Sequence, residues 1–117
     1  MMTIIEIAVY AVVLSGGSTL SCMGFDHERV NCTNGLSAEM VSQAIVRFSD
    51  GTLVDRDQNG FPRFSNGITS WFASAGWLTF SNGLEVRRIT PDTFRFNQGI
   101  ECHVDMPNLV RCSRPQR

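Results

Sequence analysis

From residue 20 onward, apolar and polar positions alternate within a unit of 16 residues that repeats six times without insertion, as 20–35, 36–51, 52–67, 68–83, 84–99 and 100–115. The first position of the unit holds Leu20, Leu36, Thr52, Ile68, Leu84 and Ile100, and the third Cys22, Ala38, Val54, Ser70, Val86 and Cys102. The eleventh holds Val30, Val46, Pro62, Leu78, Phe94 and Val110, and the thirteenth Cys32, Phe48, Phe64, Phe80, Phe96 and Cys112. Positions 2, 4 and 12 are mostly polar, as in Glu39, Arg47, Asp55, Arg63, Glu85, Arg87 and Arg95. Alternation with period two is the mark of a strand with one buried face. A glycine closing each of the first five units, together with Pro62, Pro91 and Pro107, excludes a helix over this stretch.

Each unit therefore predicts a β-hairpin, and the links between units predict the register. Thr33-Asn34-Gly35, Ser49-Asp50-Gly51, Ser65-Asn66-Gly67 and Ser81-Asn82-Gly83 put Asn or Asp before Gly, which suits left-handed backbone angles in a tight turn. A three-residue loop with a glycine bulge sets Phe64 opposite Ile68 and Phe80 opposite Leu84, keeping the apolar face continuous. A two-residue loop would set Phe80 against Glu85. The expected fold is all-β: an antiparallel meander of six hairpin repeats over residues 20–115, with up to twelve short strands. In outline such an array resembles MORN-type and choline-binding-type hairpin repeats. The Tyr-x-Gly-x-Trp spacing and paired aromatic boxes of those families are absent here, so membership in neither follows.

Residues 1–21 form a separate segment. An apolar run from Ile4 to Leu14, followed by Ser15, Gly16, Gly17, Ser18 and Thr19, matches the hydrophobic and cleavage regions of a signal peptide. The run is too short to span a bilayer as a helix. No basic residue precedes it, and Glu6 stands where a positive charge belongs. Two outcomes stay open: a cleaved export signal, or a retained, helical apolar segment that packs on the domain or serves as an anchor. The sheet's apolar side, with its Phe48, Phe64, Phe80, Phe96 column, must also be covered. It can curl into a barrel, self-associate with a second copy, or take up the N-terminal segment.

Composition adds the compartment. A net charge of −1 and 43% hydrophobic residues describe an ordinary globular chain without the basic excess of a nucleic-acid binder. The four cysteines occupy positions 3 and 13 of the first and last units, and their C-x9-C spacing is too wide for a zinc knuckle. Cross-strand neighbours in one hairpin satisfy disulfide geometry, so Cys22 is expected to pair with Cys32 and Cys102 with Cys112; the rival, bridges joining the first to the last repeat, would close the sheet into a ring. On this reading each staple holds an end unit that has a free edge. Such bridges place the protein in the periplasm or outside the cell.

Candidate chemistry is sparse. Trp71 and Trp77 break the even-position rule and, with Leu53 and Phe61, form an aromatic patch on the polar face, bordered by Arg47, Arg63 and Arg95. Such a patch suits a glycan or protein partner; a second small core or a dimer contact is the plainer explanation. Arg47 faces Glu39 and Arg63 faces Asp55, as in ordinary cross-strand ion pairs, and Arg95 is within reach of Glu101. Asp55-Arg56-Asp57-Gln58-Asn59-Gly60 imitates a calcium loop, but Asn66 stands where a bidentate Glu belongs. Asp26-His27-Glu28 and His103 have no nucleophile placed beside them. No catalytic group, metal or cofactor is expected. The residues predict a small exported, non-enzymatic β-repeat protein, a rigid binding or structural module of the envelope or extracellular space. The alternatives are an accessory subunit of a membrane complex or virion, anchored by its N-terminal segment, and, more weakly, a hydrolase.

Overall fold

The computed structural model describes residues 3–24, 29–73 and 76–115. One helix, α1 (Ile4–Leu14), precedes twelve strands. These are β1 (Leu20–Gly24), β2 (Arg29–Cys32), β3 (Ser37–Ser42), β4 (Ile45–Phe48), β5 (Leu53–Arg56) and β6 (Pro62–Phe64) in the first half. The second half contains β7 (Ser70–Phe72), β8 (Leu78–Phe80), β9 (Glu85–Thr90), β10 (Thr93–Phe96), β11 (Glu101–Met106) and β12 (Leu109–Ser113). All pairings are antiparallel between neighbours in sequence, except that β1 pairs with β12 and β6 with β7 does not. The meander is thereby rolled into a nearly closed barrel.

The repeat is kept in the register. Within units, position 3 faces position 13: Cys22↔Cys32, Ala38↔Phe48, Val54↔Phe64, Ser70↔Phe80, Val86↔Phe96 and Cys102↔Cys112. Between units, position 11 faces position 3: Val30↔Ala38, Val46↔Val54, Leu78↔Val86 and Phe94↔Cys102. The β12–β1 closure follows the same rule, Val110↔Cys22, although no loop joins those strands. The last unit treats the first as its successor.

Every residue of the turn has a task. Phe48, Phe64 and Phe80 N–H groups donate to the carbonyls of Thr52, Ile68 and Leu84, which is the three-residue form with the closing glycine at positive φ. The Asn or Asp carboxamide or carboxylate oxygen accepts from the amide two residues on, as Asn34 from Leu36, Asp50 from Thr52 and Asn66 from Ile68. The Ser or Thr before it exchanges a pair of hydrogen bonds with the residue 12 earlier: Ser65 N–H donates to the Leu53 carbonyl while Ser65 Oγ accepts from Leu53 N–H, 2.8 Å each. Ser49 with Ser37 and Ser81 with Thr69 repeat this.

The apolar column faces inward. Phe48, Phe64, Phe80 and Phe96 are 1%, 3%, 1% and 1% exposed, so they offer no surface for self-association. Two of the expected covers act together, because the sheet curls and the N-terminal segment fills it. Twelve strands roughly 4.8 Å apart enclose a ring roughly 18 Å across, room for one helix about 10 Å wide. The helix starts with a capping box, in which Thr3 and Glu6 bond reciprocally. Apart from Glu6 it is apolar all round, as a helix enclosed by a sheet must be, and Ile5 and 7–13 are buried in one core with the inward strand residues. It packs against β12, β1, β11 and β2. At its end, Gly16 and Gly17 adopt positive φ, and two turn side chains cap it: Asn82 donates to the Val13 carbonyl and Gln98 to that of Gly17. Gln98 replaces the Asn or Asp of the other turns, and its extra methylene supplies the reach.

Both disulfides form as expected, Cys22–Cys32 and Cys102–Cys112, and they fit an oxidising environment. Their expected purpose needs correction. The end units have no free edge, since β1 and β12 pair with each other; the open edges are β6 and β7, in the middle of the chain. The two staples flank the one closed junction that lacks a connecting loop. No helix among the described residues is long and apolar enough to cross a membrane.

Candidate functional site

The break in the barrel has an identifiable cause. At the β6–β7 junction, position 11 is Pro62 and position 3 is Ser70. Proline has no N–H to give a ladder and is tolerated only at sheet edges. The junction starts normally, with Phe64 N–H donating to the Ile68 carbonyl at 3.2 Å. One step further, the Ser70 hydroxyl donates to the Pro62 carbonyl at 2.6 Å, a side-chain bond in place of the backbone ladder. Beyond that, Phe61 and Phe72 meet edge to face, with centroids 4.9 Å apart. Beyond that first backbone bond, the seam is held by one hydroxyl and one aromatic pair.

Behind the seam lies a cavity of about 240 Å³. Because α1 leans on the closed side of the barrel, its Glu6, Val9 and Tyr10 form one wall, and Pro62, Phe72, Leu78, Val86 and Phe94 form the other. A second cavity of about 450 Å³ adjoins it, sharing Phe72, Leu78, Val86, Arg88 and Phe94 and adding Gly76 and Arg87. The charged groups at the first cavity are Glu6, Arg56 and Arg88. Glu6 is paired with Arg56 and also accepts from Thr3. Arg88 has no carboxylate partner among the described residues and lies over the Phe94 ring, 4.9 Å from its centroid. The Tyr10 hydroxyl is raised well above its ordinary pKa, first by burial and then by the Glu6 charge. Tyr10 also packs edge to face on Phe64.

The aromatic patch expected on the polar face is only partly assembled. Trp71 is 45% exposed in β7, opposite Thr79, and Leu53 is 40% exposed opposite Arg47. Trp77 is half-buried beneath the Arg87 guanidinium, 5.2 Å away. Phe61 turns to Phe72 instead of joining the tryptophans. The three arginines that bordered the patch are all neutralised: Arg47 by Glu39 at 2.9 Å, Arg63 by both oxygens of Asp55, and Arg95 by Glu101 at 2.6 Å. Arg63 holds the Asp55 carboxyl below the usual carboxylate range. The outer face offers aromatic surface with little free positive charge.

Phe72, Arg88 and Tyr10 are the site residues that sequence reasoning missed. Phe72 is the most exposed aromatic side chain described, at 59%, and sits in the one unit whose neighbour carries proline at position 11. That proline was the available signal. The calcium-like segment is a hairpin tip, where Asp57 Oδ1 accepts from the Asn59 and Phe61 amides. His103 is bonded to Asp105, which also pairs with Arg111. Asp26-His27-Glu28 lies outside the described residues. Among those described, no three His, Cys, Asp or Glu side chains are placed to hold a metal ion. The chain matches no protein-family model, no curated protein and no solved structure.

Proposed function

We propose that the protein is an exported, non-enzymatic binding module of the periplasm, envelope or extracellular space, with the β6–β7 seam as its binding face. The observation that carries this reading is the break at Pro62/Ser70. In a wall otherwise built from one repeated register, the single interruption leaves Trp71 exposed on the outer face and Phe72 exposed at the edge of an apolar cavity. A purely structural barrel gains nothing from leaving one junction unpaired, whereas a binding site needs an opening in a rigid scaffold. The disulfides and the helix supply the rigidity on the opposite side. In this reading the apolar N-terminal run stays with the mature protein as the filling of the barrel. The anchor alternative needs that helix outside, where its burial on all sides would be given up. A protein or glycan partner on the outer aromatic surface suits the exposed Trp71.

The test is a Trp71→Ala/Phe72→Ala double variant, expressed with its disulfides in the native host and isolated without denaturant. Both side chains are exposed, so its melting temperature is expected to match that of the parent. The parent retains a bound partner and the variant loses it. A partner held equally by both, or none on either, overturns the seam as the binding face.

A further inference from the structure

We infer that the seam cavity binds a small amphipathic monocarboxylate, a short acyl or single-ring aryl acid, with its apolar body between α1 and β8–β10 and its carboxylate at Arg88. This rests on the seam being the binding face and assigns the class of ligand that face admits.

Size, lining and charge each narrow the choice. The space beside α1 is about 240 Å³, below the roughly 300 Å³ at which drug-sized pockets begin, so the part of the ligand inserted there is small, with the adjoining cavity open beyond Arg88. Its walls are aliphatic and aromatic, Val9, Leu78, Val86, Phe72 and Phe94, so the inserted part is apolar. Of the three charged groups at the cavity, Glu6 and Arg56 cancel each other, which leaves the single positive charge of Arg88. Its guanidinium rests on the Phe94 ring with its donors uncommitted to any described carboxylate. A planar fork fits a carboxylate with two parallel hydrogen bonds. A neutral ligand would leave that arginine unused, and a cation would be repelled by it. At the seam the cavity is bounded by Phe61 and Phe72, whose edge-to-face contact is not backed by a ladder.

The experiment is isothermal titration of the full oxidised chain with octanoate, hexanoate, octan-1-ol and octylammonium. Octanoate is expected to bind at one site. Octanol binds at least ten-fold more weakly, and octylammonium gives no heat of binding. Hexanoate, two methylenes shorter, binds roughly ten-fold more weakly than octanoate, as burial of the tail requires. Arg88→Gln, a substitution at an exposed side chain, brings octanoate down to the affinity of octanol without moving the melting temperature. Leu78→Trp fills the cavity from its half-buried side and removes all binding. Equal affinities for octanoate and octanol, an unchanged affinity in Arg88→Gln, or no binding of any titrant overturns the assignment. If no titrant binds while partner retention still depends on Trp71 and Phe72, the ligand class alone falls. If both fail, the seam is not a binding face.

Discussion

Two junctions in this barrel invert each other. Between β12 and β1 there is no loop, yet Leu20↔Cys112 through Met23↔Leu109 pair in full, with a disulfide on either side. Between β6 and β7 there is an ordinary turn, Ser65-Asn66-Gly67, yet the ladder stops after its first bond. Covalent proximity therefore does not decide where this sheet closes. The chain ends meet because positions 3 and 11 there are Cys22 and Val110, both with an N–H and an inward apolar side chain. The middle of the chain gapes because those positions are Ser70 and Pro62. The helix follows the same division, packing on the closed side and leaving its Glu6, Val9 and Tyr10 face toward the gap.

The harshest way to break the comparison is to remove what the closed side packs against. Val12 is fully buried in the last turn of α1, and Val12→Asp places an unpaired carboxylate in the core. The expected cost is about 4 kcal/mol or more. Against a typical total of about 5–15 kcal/mol, the variant unfolds or is degraded. Denaturant melts of the variant beside the parent measure it. If the barrel stood without its filling, the variant would melt like the parent. The intact mass of the native protein is expected to include residues 3–17 for the same reason.

Next in size are the staples. Each closes a loop of about ten residues, and the chain-entropy relation gives about 3 kcal/mol apiece. Replacing Cys22 and Cys32 by serine is expected to lower stability by that amount. Amide exchange is expected to accelerate first in β1 and β12, because only pairing holds that junction once a staple is lost. Acceleration that began in β6 and β7 instead would show that the disulfides do not serve the loopless closure.

Pro62→Val mends the seam by giving position 11 the residue it has at Val30, Val46 and Val110. A restored ladder contributes about 1–2 kcal/mol, offset by about 0.5 kcal/mol from the freer unfolded chain, for a net gain of about 1 kcal/mol. Slowed exchange at the Ser70 amide and a higher midpoint check it. An unchanged midpoint and exchange rate would mean that something other than the missing N–H keeps the edges apart.

The wall of the barrel was legible from residues because its signals are local. Alternation gave the inward column, and the Asn-Gly turns gave the loop length. The cysteine positions gave the bridges, and Glu39, Asp55 and Glu101 were predictable partners of Arg47, Arg63 and Arg95. Closure was not legible. Nothing in residues 20–24 or 109–113 says that they face each other, since a loopless junction leaves no turn motif and a sheet's curvature is collective. The helix could be seen as apolar on all sides, but an apolar run suits an export signal and a buried element equally. Phe72 and Arg88 lie 16 residues apart, at the fifth position of adjacent units, a position that carried no pattern. Pro62 was the overlooked clue: an inward column tolerates its ring, so hydrophobicity concealed what its missing N–H does to the neighbouring strand.

The smallest effect sharpens the comparison from inside the gap. The chain has one tyrosine and no lysine, and all four cysteines are in disulfides, so Tyr10 is the only side chain that titrates between about pH 9 and 11. Its folded-state pKa is raised, chiefly by burial and secondarily by Glu6. The unfolded chain therefore releases the phenolic proton first. The stabilisation is whole below the ordinary tyrosine value of about 10 and declines above it, by up to about 1.4 kcal/mol per pH unit. The parent should lose stability from about pH 10, with the phenolate absorbance rising only as it unfolds. Tyr10→Phe removes the titrating group, and its stability should stay level through the same range. A phenolate that forms in the folded parent near pH 10 would mean that water reaches Tyr10 through the seam, and that the gap is wet where the closed side is dry.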